Sequence, residues 1–592
     1  MLQFSMRLLE VEVDDDHDHS CFCLTGHACD TGTSSLVLSE EYDNIQTTTN
    51  TGITNNQCAK ETIYQTSNIS TSAFSRTIYH FLLTPLTRWD SARFLHLAVN
   101  PTMRDPPRIS IEDCSDLTMD NGQENSCQAS HSYEDVLFLQ SEQSHAFFPF
   151  LPLIFRWIAN AWIQHLPLSI LPPTYEAVVV LAALFWNTTS FIVASMALYY
   201  LTLILVGQQS TFISTLSTSS KKERITEETI LSLAFQTFLF FCFNPASVFF
   251  TAAYSESTFA MCNFVGHAVL AQGMIPTTRG SAVNPTSKNN DNISFRKLVL
   301  YSCFALPFWM AASYTRSNGT MQSCWILLLG ISLVCSWWRK MSLWKAILGF
   351  LHCSLLALMI VLPVFWHDAS GYERHCHIST EDEDHVVRPS WCRDLENADE
   401  HFSLYGYVQL VHWNVGIFRY YQWKQIPNFL LAAPILILSF AAVVHWIMAS
   451  WKRYHSETST DISYPQKVIR WAIASMEDAV PEMKHERRSN ATKANMVSGH
   501  FYQELLMGPL MLNHYAVLAA ISMIGLLIAH VQISTRLICS SCPAIYWFMA
   551  LCFLGQETGS RMLSFLGKCI PRYCVLYILL GAIMHTNWLP WT

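Results

Sequence analysis

From about residue 175 to the C-terminus, long apolar runs alternate with short polar segments, whereas the first 80 residues carry no run of comparable length. A helix needs about 20 consecutive apolar residues to cross the hydrocarbon of a bilayer. Runs of that order lie at Ala177–Val206, Thr229–Phe250, Ser257–Ile275, Leu298–Tyr314, Gln322–Trp338, Leu343–Trp366, Asn428–Ser450 and Gly508–Ile533, with two weaker ones at Pro543–Gly555 and Tyr573–Leu589. The stretch Phe147–Leu171 is also apolar but is interrupted by Pro149, Pro152, Pro167 and Arg156, so it reads as a short span or an interfacial helix pair. The pattern predicts an all-α polytopic membrane protein with about 8–11 transmembrane helices.

Composition agrees. Only 14% of the 592 residues are charged, where a soluble chain carries about 25%. The net charge of −9 sits mostly in acidic loops and leaves no basic face for nucleic acid, so nucleic acid is not an expected partner. Residues 1–80 are polar and acidic and read as a disordered N-terminal region preceding a multi-span unit over 81–592. Cys242, Cys262, Cys303 and Cys353 fall inside apolar runs, where a thiol behaves as a small apolar residue. The acidic His/Cys tract Asp14–Cys23 resembles a metal-binding segment but lacks regular spacing, and no metal ligand set follows from it. Cys376 and Cys392 share one polar loop and are able to pair if that loop faces an oxidising compartment.

Basic residues set the orientation, because positive loops stay on the cytoplasmic side. Lys221–Arg224, then Arg279, Lys288, Arg296 and Lys297, then Arg339, Lys340 and Lys345, and finally the loop 451–507, alternate along the chain so that all can be cytoplasmic together. The opposite side then receives Phe243–Ser257, Tyr314–Thr320 and a loop near 367–427. If Phe147–Leu171 does not cross, the segment 85–148 joins them. Polar groups at helix ends beside a bilayer are costly unless solvated or used, so their grouping on one face points to a shared site.

Four segments of that face carry candidate chemistry. Arg88, Trp89 and Asp90 open a short amphipathic stretch; Asp90 there is either a general base or the cap of a helix beginning near Ser91. Glu256 lies between two apolar runs, a supporting acid or base or a solvated cap. Arg316, with Asn318 two residues on, sits at a helix end, placed to clamp a phosphate or to snorkel toward headgroups. His412, Trp413, Asn414, Arg419, Tyr420, Tyr421 and Lys424 crowd just ahead of a span, as a phosphate- or sugar-binding cluster or as an interfacial aromatic belt.

Read together, these segments resemble the GPI mannosyltransferase 2 family. The matching stretches are Thr87–Leu95, His145–Leu153, Phe243–Ala260, Thr315–Gly319, Pro389–Cys392, His412–Pro434, His530–Phe548 and His585–Thr592, in the family's order. The resemblance implies a GT-C-type glycosyltransferase of the endoplasmic reticulum membrane with a lumenal active site. It implies dolichyl phosphate mannose as donor and the singly mannosylated glucosaminyl-phosphatidylinositol as acceptor, joined by an α1,6 bond. A small membrane accessory subunit, as in fungal relatives, is an implied partner beside the lipid substrates and bulk lipids; no cofactor is identified and the need for a metal is left open. Asp90 is then expected as the base, with Arg316, or Arg419 with Lys424, neutralising the dolichyl phosphate, and with Arg88, Trp89, Asn318, His412, Trp413, Asn414, Tyr420 and Tyr421 shaping the substrate site.

Two features depart from the family pattern. A spanning helix usually precedes the Arg-Trp-Asp loop, and only the short apolar fragment Ile78–Leu86 stands there; Asn100–Ser141 is longer and more acidic than expected. The competing readings are a transporter or scramblase and a non-catalytic membrane scaffold. The former predicts charges buried mid-span, internal repeats or broken paired helices; no repeat is visible, and the polar residues gather at one face.

Overall fold

A computed structural model of the chain describes residues 87, 90–99, 142–167, 170–172, 174–214, 220–274, 295–339, 343–376, 392, 403–457, 464–478, 510–555 and 561–587. Arg88, Trp89, the Asp14–Cys23 tract, the remainder of 1–80, the 100–141 stretch and most of the 458–509 loop lie outside the described residues. The described secondary structure is helical throughout. The principal helices, in chain order, are α1 (Asp90–Val99), α2 (Phe150–His165), α3 (Tyr175–Ser214), α4 (Ser220–Cys242), α5 (Ser247–Thr251), α6 (Glu256–Gly273), α7 (Phe295–Thr315) and α8 (Met321–Arg339). They continue as α9 (Leu343–Cys376), α10 (Leu404–Val411), α11 (Ile426–Glu457), α12 (Tyr464–Asp478), α13 (Met511–Leu527), α14 (Ser534–Ser541), α15 (Pro543–Leu554) and α16 (Arg561–Thr586).

Among the described residues six helical segments are long and apolar enough to cross a membrane, and a seventh if the bent pair Val531–Ser541 and Pro543–Leu554 counts as one span. Each of the ten apolar runs contributes helix among the described residues, but four of them differ from simple spans for identifiable reasons. α4 begins with the charged segment Ser220–Glu228. α6 keeps Glu256, Ser257, Thr258, Asn263 and His267 buried inside the protein, which lowers its apolarity without exposing polar atoms. α13 is only 17 residues long, and α14 meets α15 at 83°. Phe147–Leu171 contributes one 16-residue helix, α2, with Pro152 in its first turn, where a missing N–H costs nothing.

The long helices expose apolar faces of the kind a bilayer covers. Leu351, Leu355, Leu358, Leu362 and Phe365 form an exposed stripe at helical spacing on α9. Leucines, aromatic rings and scattered alanines fill the inward faces, and a main core joins α3, α4, α6 to α9, α11 and α13 to α16. A second core packs α1 against α2 and the start of α3. Cys376 and Cys392 are joined by a disulfide that ties the polar loop to the end of α9. Cys262 and Cys353 are buried free thiols, Cys242 is half-buried, and Cys303 is exposed.

Candidate active site

The site assembles where several helix ends meet, and the reason lies in a break after α4. Asn244-Pro245 stops that helix, because proline donates no backbone hydrogen bond. The Asn244 side chain takes over the turn: its Oδ1 accepts from the Ala246 amide at 2.8 Å, and its Nδ2 donates to the Phe241 carbonyl at 2.8 Å. Asn187, buried within α3, holds the next bend by donating to the carbonyls of Ala252 and Tyr254. Trp186 donates to Thr258 Oγ1 at 2.9 Å. These bonds fix residues 252–258 and place Glu256 in the first turn of α6, fully buried.

Around Glu256 the structure gathers three more charges. Arg316, just past the end of α7, donates through Nη1 to Glu256 Oε1. Arg536, on α14, donates through Nε to the same oxygen at 2.7 Å and through Nη1 to Asp90 Oδ2 at 3.2 Å. The Arg536 guanidinium lies over the rings of Phe249 and Tyr254, 4.5 and 4.7 Å from their centroids. Two carboxylates and two guanidiniums therefore form one electrically neutral chain, Asp90–Arg536–Glu256–Arg316. Burial alone would push the Glu256 carboxyl up, but the Arg316 and Arg536 guanidiniums outweigh it and hold the group below its ordinary pKa. Burial, then the Asp90 and Glu256 charges, push the Tyr254 phenol well up. Glu256 Oε2 is buried and has no hydrogen-bond partner among the described residues.

Asp90 opens α1, so its carboxylate faces the positive end of that helix dipole. Its side chain is 37% exposed, against 16% for Arg316, 6% for Arg536 and 0% for Glu256, and it is the charge of the four most open to a ligand. Arg156, the cation that interrupts the apolar α2 stretch, donates to the Val99 carbonyl at 3.1 Å and so caps the other end of α1. Beside the quartet, Asn318 donates to Ser541 Oγ at 3.1 Å, joining the turn after α7 to the end of α14, and Asn263 donates to the Ser541 carbonyl at 2.8 Å. Ser317 Oγ and Tyr405 Oη lie 2.7 Å apart. Gly319 is required by contact: a Cβ there would run into the Ser313 backbone.

The 412–424 cluster divides into two faces. His412 Nδ1 pairs with Gln143 Nε2 at 2.6 Å. Trp413 packs edge-on to Phe147, which packs edge-on to Phe94 of α1, linking the cluster to the Asp90 helix. The Trp413 carbonyl accepts from His530, and Tyr420 stacks on His530 at 4.4 Å while its hydroxyl donates to Gln532 Oε1 at 3.1 Å. Asn414, Arg419, Tyr421 and Lys424 are exposed, as is His412. The loop is pinned to the end of α13, whose last carbonyls accept from the Gly416 and Phe418 amides at 3.1 and 2.8 Å and from the Tyr421 hydroxyl at 2.9 Å.

Asp90, Glu256 and Arg316 are thus brought together; Arg419 and Lys424 are not part of the charge quartet. Arg536 is the member of the quartet that the apolar runs do not single out. It is the only charged residue between Leu510 and Leu554, a signal in itself, but it falls in the gap between two runs. Among the described residues no group of three or more His, Cys, Asp or Glu is gathered for a metal ion.

Comparison with known proteins bears on this arrangement. The family described as Mannosyltransferase (PIG-V) matches residues 69–592. A protein named GPI mannosyltransferase 2 from Drosophila pseudoobscura pseudoobscura is 26% identical over 86% of this chain and 87% of its own. The GPI alpha-1,6-mannosyltransferase 2 of Mus musculus is 27% identical over 60% of this chain and 69% of its own, and that of Homo sapiens is 26% identical over 61% and 70%.

Proposed function

The chain belongs to the Mannosyltransferase (PIG-V) family, and from that membership and the site's charges we propose that it transfers the second mannose, in α1,6 linkage, during GPI-anchor biosynthesis. The donor is dolichyl phosphate mannose and the acceptor is the singly mannosylated glucosaminyl-phosphatidylinositol. Both are lipid-anchored, which suits a multi-span enzyme whose polar site lies at helix ends, because their chains stay in the bilayer while their sugars meet at its surface.

The reaction forms a bond between an acceptor hydroxyl oxygen and the anomeric carbon of the donor mannose. The bond from that carbon to the phosphate oxygen breaks, its electron pair leaves with the dolichyl phosphate, and the hydroxyl proton passes to a base. Asp90 is assigned that base: its carboxylate is the most open of the quartet and stands in the Arg-Trp-Asp motif. Arg316, partly exposed, or the outward pair Arg419 and Lys424, neutralises the leaving phosphate. Trp413, Tyr420 and Tyr421 border the acceptor side. The neutral quartet of Asp90, Arg536, Glu256 and Arg316 is the observation that carries this reading.

An endoplasmic reticulum location with a lumenal site follows from the same reading, with lumenal loops near 85–148 and 367–427 and a cytoplasmic loop near 451–507. The Cys376–Cys392 disulfide supports it, since such bonds persist in oxidising compartments, as does the placement of basic residues in the opposite loops. Complementation tests the function: cells lacking the second GPI mannosyltransferase, given this chain, regain a surface GPI-anchored reporter and lose the accumulated one-mannose lipid. A stably expressed chain that leaves that lipid in place contradicts the proposal.

A further inference from the structure

The two arginines of the quartet occupy different situations, and that difference assigns them different tasks. Arg536 is enclosed on every side the structure records: Glu256 Oε1 takes its Nε at 2.7 Å, Asp90 Oδ2 takes its Nη1 at 3.2 Å, and the Phe249 and Tyr254 rings lie against its flat face. It sits on α14, which Asn318 and Asn263 tether through Ser541. A guanidinium is planar and rigid, so two such anchors and two rings leave it one orientation. Arg316, by contrast, has one carboxylate partner and retains some exposure.

We infer that Arg536 is a positioning residue that holds the Asp90 carboxylate by Oδ2 and leaves Oδ1 for the acceptor hydroxyl, while Glu256 serves as the shared counter-anion that keeps Arg536 in place and releases Arg316 to an incoming phosphate. This rests on Asp90 being the base. Glu256 suits the task because both guanidiniums meet one of its oxygens, Oε1. When Arg316 turns toward a phosphate monoanion, Glu256 keeps Arg536 as its partner, so no buried carboxylate is stranded. Stranding one would be severe, since an uncompensated charge in a protein interior is strongly destabilising. With the phosphate present, two guanidiniums face three anions, and of the two carboxylates only Asp90 is substantially open to solvent; that carboxylate is the one placed to accept the hydroxyl proton.

The test is a double-mutant cycle in isolated membranes, measuring mannosyl transfer with donor and acceptor varied separately. Arg536→Lys keeps the charge and loses the fork, and it should lower kcat about 100-fold, the scale set by small misplacements of a reacting group. KM for both substrates should stay within about threefold, because Arg536 contacts neither. On an Asp90→Asn background the residual rate should fall no further when Arg536→Lys is added, since the two act as one unit. A full additional loss on that background, or a loss confined to donor KM, overturns the inference. If Arg536→Lys does not accumulate, Glu256→Gln, which removes only the counter-charge, must lower kcat with acceptor KM unchanged; wild-type kcat in that variant overturns it equally. Arg316→Ala should instead raise donor KM, and no rise there sinks the division of labour. Asp90→Asn alone decides the underlying reading, because retained transfer in that variant removes the base whatever Arg536 does.

Discussion

The charge quartet and the aromatic loop before α11 are built by opposite rules. In the quartet every guanidinium meets a carboxylate, and three of the four side chains are mostly or fully buried. In the loop Arg419 and Lys424 are exposed and have no ion pair among the described residues, and Trp423 is 89% exposed. Its backbone carries two of the three described non-glycine residues with positive φ, Asn414 at 49° and Phe418 at 57°. Asparagine tolerates that region; a phenylalanine there costs of order 1–3 kcal/mol, offset by the hydrogen bonds from its amide and its neighbours to the end of α13. Charges removed from water must neutralise one another, whereas charges left in the headgroup layer are free to meet a ligand. The quartet is therefore expected to respond to mutation as a unit and the loop residue by residue.

The largest effect expected is on chemistry. Asp90→Asn, nearly isosteric, should cut transfer by about 10²–10⁴, the usual worth of a positioned base, with the protein still accumulating at normal levels in membranes. An unchanged rate would dissolve the distinction, leaving Asp90 a helix cap. Next is stability: Glu256→Ala leaves Arg316 without its carboxylate and Arg536 with Asp90 alone, and should cost about 3–5 kcal/mol, read as a large drop in thermal midpoint of the detergent-solubilised protein. The same contribution has a pH signature. A carboxylate held below its ordinary value stabilises the fold fully above the unfolded pKa of about 4.3, and loses that contribution as pH falls through the lower folded value. The wild-type advantage over Glu256→Gln should accordingly be level from neutral pH to about 5 and shrink only in stronger acid.

A smaller effect is predicted for the turn that presents Arg316. Gly319→Ala places a methyl group against the Ser313 backbone, a clash costing about 1–3 kcal/mol, and should raise donor KM more than acceptor KM. Smallest is the loop: Arg419→Ala or Lys424→Ala should change thermal stability by less than about 1 kcal/mol. Any effect on apparent substrate affinity should weaken as salt rises. A stability loss as large as that of Glu256→Ala would show that the loop cations are paired after all, and would erase the contrast.

Much of this was legible along the chain. The apolar runs gave every long helix because spacing and length alone decide whether a segment can bury its backbone in lipid. Glu256 and Arg316 stood out as charges at the ends of those runs, and Asp90 as the acid opening a short amphipathic stretch. Arg536 did not, because the bend between α14 and α15 splits an apolar region into two short pieces that read as the edges of other segments. The two faces of the 412–424 cluster were equally hidden: nothing in its sequence says that Tyr420 turns inward onto His530 while Tyr421 faces out.

The sequence by itself therefore determined the class of the protein, the polar segments that join its apolar runs, and the family whose motifs they carry. It did so because hydrophobic length and charge placement act locally. Tertiary structure alone decided which charges meet. Arg536 is separated from Asp90 by 446 positions and from Glu256 by 280, and only helix packing brings them within hydrogen-bond range. Whether each charge is exposed or neutralised, and so which arginine is held and which is free to turn, depends on the burial that this packing creates.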